Sequence, residues 1–135
     1  IYTSAAEAAA KVGGKLIGVD VDQSANIDTY GEGMCVTSAM KGLAETVKHM
    51  LSEVLAGNFA NYGGKIETLG LVSGDDPTAN YVQLPMETTQ WGDGFTQDDY
   101  KALVKAMFDG EVTVSNDTSA MPETTITVNF AGNIK

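Results

Sequence analysis

Short apolar runs alternate with amphipathic helical patterns along this chain, and that alternation limits the folds it can adopt. The run KLIGVD, residues 15–20, follows an Ala-rich stretch that ends at Gly13-Gly14, and a polar loop comes after it. The clearest helical pattern covers residues 39–56, where apolar residues recur at the spacing of one helix face. Strands that alternate with helices favour a mostly parallel sheet flanked by helices, so we predict an α/β fold.

The other segments extend this prediction to a single α/β lobe over residues 1–135, with 112–135 as its terminal strand and tail. Strands are predicted at 1–4 (IYTS), 15–20, 34–38, 65–72, 81–86, the start of 111–123, and 124–130. Helices are predicted from Ser4, where Ser4 and Glu7 form a capping box, from the N-cap Ser38, and from the capping box Thr96/Asp99 to Gly110.

Composition excludes several classes of function. The chain has 135 residues, 43% of them hydrophobic, which suits one domain with a core. Its net charge is −10 and every basic residue is a lysine, so binding to nucleic acid or to an anionic membrane surface is not expected. Cys35 is the only cysteine and lies in an apolar run, which favours a buried thiol over a nucleophile. His49 is the only histidine.

The segment GVDVDQSANID, residues 18–28, collects carboxylates, amides and a hydroxyl directly after the first buried strand. A calcium loop does not fit, because Ala25 stands where that loop needs Gly and Gly31 stands where it needs Glu. Asp20 and Asp22 are two residues apart at a strand end, and we do not expect them to form an acid/base pair that shares one substrate. We therefore expect no metal, no cofactor and no catalytic residue here.

The position of Asp20 at a strand end supports a third interpretation. Open α/β sheets bind ligands beyond the carboxyl ends of their strands, and a carboxylate there can accept hydrogen bonds from a vicinal diol. A loop-capping role is the structural alternative. Lys41 is predicted in the first helical turn after Ser38, where a cation opposes the helix dipole and is a candidate for function. Pairing with Glu45 explains it equally well.

With these residues in view, the chain resembles the C-terminal lobe of the basic membrane protein family, substrate-binding lipoproteins of ABC transporters, with the purine nucleoside receptor type as the nearest. The motif GVDxDQ matches residues 18–23, and TSxxK matches residues 37–41. The stretches GLAETVKHMLSEVLAGNF, LGLVSG and GFTQDDYKALVKAMFDGEVTV are also similar to that family, in the same order.

The resemblance implies one lobe of a type I periplasmic-binding-protein fold that closes on its ligand against an N-terminal lobe. It implies that Asp20 and Lys41 hold ribose hydroxyls and that Tyr2 stacks on the base. Asp22 and Gln23 would have supporting roles. It also implies an extracytoplasmic, lipid-anchored protein that delivers its ligand to an ABC permease.

We therefore expect a solute-binding lobe that recognises a nucleoside, with a purine base favoured, and performs no catalysis. A binding protein for a free sugar or another hydroxylated solute is one alternative, and an α/β hydrolase that acts on nucleosides is another. Because the chain opens on IYTS, we also expect it to be a piece of a longer protein, and a lobe that binds nothing by itself is a third alternative.

Overall fold

The fold is mixed α/β, as predicted. The computed structural model describes residues 2–121, 123–128 and 132. Its helices are α1 Tyr2–Ala10, α2 Ser24–Ile27, α3 Leu43–Leu55 and α4 Gln97–Phe108, and its strands are β1 Leu16–Asp20, β2 Cys35–Lys41 and β3 Val82–Gln83. The strands form one sheet in the order β1-β2-β3, with β1 parallel to β2 and β3 antiparallel to β2. Single 3₁₀ turns cover Phe59–Asn61 and Pro77–Ala79.

A small core packs against one face of the sheet. It is built from Ile27, Met34 and Cys35, with Ala9, Leu16 and Tyr30 at its edge. The loop between α2 and β2 is tied to this core because the Asp28 carboxylate accepts a hydrogen bond from the Cys35 amide at 2.8 Å. The Cys35 thiol is buried, as predicted, and it donates to the Thr37 carbonyl oxygen at 3.3 Å.

A register shift at the start of β2 decides which side chains this core receives. Leu16 pairs with Cys35 but Ile17 pairs with Thr37, so Val36 is an extra residue on β2. An extra residue reverses the alternation of side chains beyond it. As a result Cys35 and Ser38, three positions apart, are both fully buried on the same side of the sheet.

The two faces of β1 differ strongly. Leu16 and Gly18 face the core, and a Cβ at Gly18 would lie 2.5 Å from the Ser38 Oγ, so no larger residue fits there. Ile17 and Val19 face the other way, where their side chains are 67% and 53% exposed. One face of β1 is therefore closed, and the other is open.

Two predicted helix starts are wrong. Residues 2–4 are helical rather than a strand, so Ser4 lies inside α1 and is not its N-cap; Ile1 lies outside the described residues. The helix predicted from Ser38 begins at Leu43, and Ser38 lies inside β2. Gly42 is the N-cap. A glycine suits this position because the carbonyl oxygen of Asn80 lies 2.6 Å from where a Cβ would stand.

Several predicted strands are also absent from the described residues. Residues 65–72 form no strand, because the amides of Val72 and Ser73 donate to the side-chain oxygen of buried Asn80 instead of to a neighbouring strand. The strand predicted at 81–86 shortens to β3, since the amide of Leu84 donates to the Tyr100 hydroxyl. No strand occurs in 111–121 or 123–128, and the end of the last predicted strand, 129–130, lies outside the described residues.

The helix predicted from Thr96 is confirmed. The Thr96 hydroxyl accepts from the Asp99 amide at 3.2 Å, and the Asp99 carboxylate accepts from the Thr96 amide at 2.8 Å. Tyr100 and Val104 are buried on its inner face, whereas α3 has no buried residue. No described helix combines the length and hydropathy needed to cross a membrane.

Candidate ligand site at the carboxyl ends of β1 and β2

Asp20 and Lys41 meet at the edge of the sheet where β1 and β2 both end. The Lys41 Nζ lies 2.7 Å from Asp20 Oδ1, and the side chains are 63% and 53% exposed, respectively. Both residues are candidates from the sequence, which predicts Lys41 in a helix, whereas Lys41 is the last residue of β2. The carboxyl ends of adjacent parallel strands therefore bring together a carboxylate and an ammonium within reach of solvent.

The backbone at Asp20 is the one non-glycine position with positive φ among the described residues, at 72°. The left-handed region is costly for residues other than Gly, and Asn and Asp tolerate it best. Such conformations are concentrated at functional sites, where the surrounding structure maintains them. Here the next residue closes a tight turn, because the Val21 amide donates to the Val19 carbonyl oxygen at 2.9 Å.

Gln23 holds this turn from the closed face of the sheet. The side-chain Oε1 of Gln23 accepts a hydrogen bond from the backbone amide of Val19 at 3.0 Å. The backbone amide of Gln23 donates to the buried Ser38 Oγ, also at 3.0 Å. The first of these bonds uses an outward-facing amide of β1, which leaves less of that strand edge free to pair with another strand. Gln23 is therefore a supporting residue that fixes the strand end from which Asp20 projects.

Asp22 anchors a distant loop. Its Oδ2 accepts from the Thr88 hydroxyl at 2.7 Å and its Oδ1 from the Ser24 amide at 3.0 Å. Burial alone would raise the pKa of this carboxyl, but the hydrogen bonds from Ser24 and Thr88 outweigh that effect and hold the pKa below its usual value. Each oxygen of the carboxylate accepts one of these hydrogen bonds, so Asp22 ties the loop at Thr88 to the segment that follows β1.

A polar cavity of about 330 Å³ opens beside the ion pair. Its polar side chains come from five different elements: Asp20, Lys41, Glu45, Thr78 and Gln83. The Gln83 Nε2 donates to the carbonyl oxygens of Thr78 and Asn80, each at 2.6 Å, which leaves the Gln83 Oε1 as an additional acceptor. The sequence does not indicate Glu45, Thr78 or Gln83 as site residues. Thr78 and Gln83 come next to Lys41 only through the pairing of β3 with β2.

An apolar groove of about 500 Å³ adjoins the polar cavity on the open face of β1. Its walls are Val19 and Ala39 on the sheet and the inner face of α4 opposite them, including Leu103 and Met107. Trp91 lies behind this wall with its ring 5.6 Å from that of Tyr100. Three residues line both the groove and the polar cavity: Met40, Lys41 and Gln83.

The remaining candidates lie elsewhere. Tyr2 is in the first turn of α1, and it lines neither the polar cavity nor the apolar groove. His49 is on α3, where its ring packs edge-on against Tyr62 at 5.6 Å. Among the described residues, no group of three or more His, Cys, Asp and Glu side chains could hold a metal ion.

Comparison with known protein families, with curated proteins and with solved structures finds no match to this chain.

Proposed function

We propose that this chain is the ligand-binding lobe of a solute-binding protein that recognises a nucleoside through its ribose hydroxyls. The observation that carries the proposal is the half-exposed Asp20–Lys41 ion pair at the carboxyl ends of two adjacent parallel strands. Ligands of open α/β sheets bind at this edge. The resemblance of GVDxDQ and TSxxK to the basic membrane protein family adds the wider setting: a lipid-anchored protein outside the cytoplasm, an N-terminal lobe and an ABC permease.

The chemistry of the pair suits a vicinal diol. The carboxylate of Asp20 can only accept hydrogen bonds and the ammonium of Lys41 can only donate them, whereas a hydroxyl does both. A ribose hydroxyl can therefore donate to Asp20 while the neighbouring hydroxyl accepts from Lys41. A hydrogen bond to a charged group contributes about 1.5–3 kcal/mol, but an exposed ion pair is worth only about 0–1 kcal/mol. Inserting a diol between the two side chains is favourable on these magnitudes.

The site is also prepared before a ligand arrives. Asp20 is fixed by the left-handed turn and by the bonds that Gln23 makes to Val19 and Ser38. The polar cavity supplies a further acceptor at Gln83, and its volume of about 330 Å³ lies within the range of small-molecule sites. A ligand therefore needs little binding free energy to order the backbone that carries Asp20.

The test is a calorimetric titration of the protein with inosine, adenosine and guanosine. We expect saturable binding of at least one of them, and loss of about tenfold or more in affinity for Lys41→Met, because the donor to the diol is removed. Lys101→Met is the matched control, since Lys101 also pairs with a carboxylate, Asp98, but on the surface of α4. Absence of heat with every nucleoside, in a protein shown to be folded, would reject the nucleoside proposal.

A second candidate function rests on Glu45. This carboxylate lines the same polar cavity as Asp20 and pairs with Lys48 at 2.7 Å, and two carboxylates that flank a sugar are the usual machinery of glycoside hydrolysis. The hydrolase is tested by incubating purified protein with inosine for hours and measuring free hypoxanthine. Release of hypoxanthine faster than by an Asp20→Asn variant would favour the hydrolase. Absence of release would reject the hydrolase and favour the binding protein. A thermal-shift screen of free ribose and other sugars tests the remaining alternative, because any tight ligand raises the melting temperature.

A further inference from the structure

The apolar groove and the polar cavity adjoin and differ in polarity: charged and amide side chains line the polar cavity among apolar ones, whereas apolar groups line almost all of the groove. They share Met40, Lys41 and Gln83 as a common wall, so a molecule bound at the Asp20–Lys41 pair has the groove directly beside it. The polar cavity presents carboxylates, an ammonium and an amide. The groove presents almost exclusively carbon, and the hydroxyl of Tyr100 at its wall is already bonded to the amide of Leu84.

The groove exposes apolar side chains that a folded chain normally covers. Val19, Val82 and Phe95 on its walls are 53%, 47% and 44% exposed. Contiguous apolar surface of this kind, bordered by polar groups, is typical of ligand-binding grooves. Its volume of about 500 Å³ is also that of a small-molecule site.

Charge selects among the amphiphiles that could bridge the two parts. Lys41 is the one cation that the described residues place in either lining, and it is already paired with Asp20. The chain carries a net charge of −10, so an anionic head group would meet repulsion without a free cation to hold it. An uncharged head group rich in hydroxyls has hydrogen-bond partners at Asp20, Lys41 and Gln83 and meets no electrostatic repulsion.

We infer that the physiological ligand is an uncharged glycoside whose sugar binds at the Asp20–Lys41 pair and whose apolar substituent lies in the groove between β1 and α4. This inference rests on the proposed function, because it takes the sugar site as given, and it adds a subsite on the open face of the sheet. The substituent contacts Val19 on one wall and Leu103 and Met107 on the other.

The experiment compares methyl, butyl and hexyl β-D-ribofuranoside by calorimetry, all below their micelle-forming concentrations. Burial of one methylene is worth about 0.8 kcal/mol, so affinity should rise about fourfold for each methylene that enters the groove. Hexanol alone should bind far more weakly than hexyl riboside. Val19→Thr keeps the shape of the side chain but makes it polar, and it should reduce the ratio of hexyl to methyl affinity about threefold or more.

Ile17→Thr is the matched control, because Ile17 lies two residues earlier on the same open face but does not line the groove. It should leave the ratio unchanged. Equal affinity for all three ribosides would overturn the groove inference while leaving the sugar site intact. No binding of any riboside by a protein that binds inosine would overturn the inference, whereas no binding of inosine either would reject the proposed function itself. Hexanol binding as tightly as hexyl riboside would overturn the inference by showing a groove that acts without the sugar site.

Discussion

The side chains on the two faces of β1 lie in different environments: those on one face are packed against the core, and those on the other are exposed. On the closed face, Gly18 lies against Ser38 and Gln23 with no space for a Cβ, and Leu16 contacts the Ile27 core. On the open face, Val19 lines a groove of about 500 Å³. The difference indicates a division of labour: the closed face fixes the position of the strand end that bears Asp20, and the open face is left free to contact a ligand.

The largest expected effect comes from the core of the closed face. Ile27 is 1% exposed, so Ile27→Ala should lower the free energy of unfolding by about 3 kcal/mol through lost burial and a residual cavity. Ile17→Ala on the open face should change it by less than about 0.5 kcal/mol. Urea unfolding of both variants measures the contrast. Similar losses for the two would show that the faces are not energetically distinct.

A smaller effect is expected at the tightest contact of the closed face. In Gly18→Ala the new Cβ would lie 2.5 Å from the Ser38 Oγ and 2.9 Å from the Gln23 Cβ, so the neighbours must shift at a cost of about 1–3 kcal/mol. Gly94→Ala is the control, since no atom lies within 4 Å of its Cβ position. We also expect Gly18→Ala to weaken nucleoside binding, because Gln23 supports the turn at Asp20. Unchanged stability and binding would contradict the close packing.

The sequence predicts the positions of these features better than their local structure. The strand end at Asp20 and the capping box of α4 are predicted correctly, because each depends on a few neighbouring residues. Lys41 is predicted from a helical position that it does not occupy and from its place in the TSxxK motif. The start of α3 was wrong because MCVTSAMK continues into a helical apolar pattern, and the contact that places Gly42 at the N-cap is made by Asn80, far along the chain. The register shift at Val36 and the role of Gln83 likewise depend on pairing between strands, which has no local signature.

A modest effect is expected from the side chain that joins the closed face to the strand end. Gln23→Ala removes the acceptor of the Val19 amide, so it should cost about 1 kcal/mol of stability and speed hydrogen exchange at Val19. Gln97→Ala is the control, because Gln97 donates to the Met86 carbonyl oxygen away from β1. Two-dimensional NMR exchange measurements resolve the individual amides. Equal exchange at Val19 in both variants would show that Gln23 does not hold the strand end.

The smallest effect is a dependence on pH. Hydrogen bonds from Ser24 and Thr88 hold the folded-state pKa of Asp22 below its usual value, so its ionised form stabilises the fold. That contribution is complete above about pH 4, the ordinary pKa of Asp, and it is lost as the pH falls through the folded-state value. Urea unfolding between about pH 6 and about pH 2.5 should therefore show a shallower acid loss for Asp22→Asn than for the natural chain. Parallel curves would show that Asp22 does not anchor the loop at Thr88.

The most direct test of the central claim is a binding cycle on the diol and Asp20. Inosine and 2′,3′-dideoxyinosine are titrated calorimetrically into the natural chain and into Asp20→Asn, a variant that tolerates the left-handed backbone at this position. We predict that removing either the ligand hydroxyls or the carboxylate weakens binding roughly tenfold to a hundredfold, and that removing both weakens it little further. An equal loss for both ligands on substitution of Asp20 would contradict a contact between this carboxylate and the ribose.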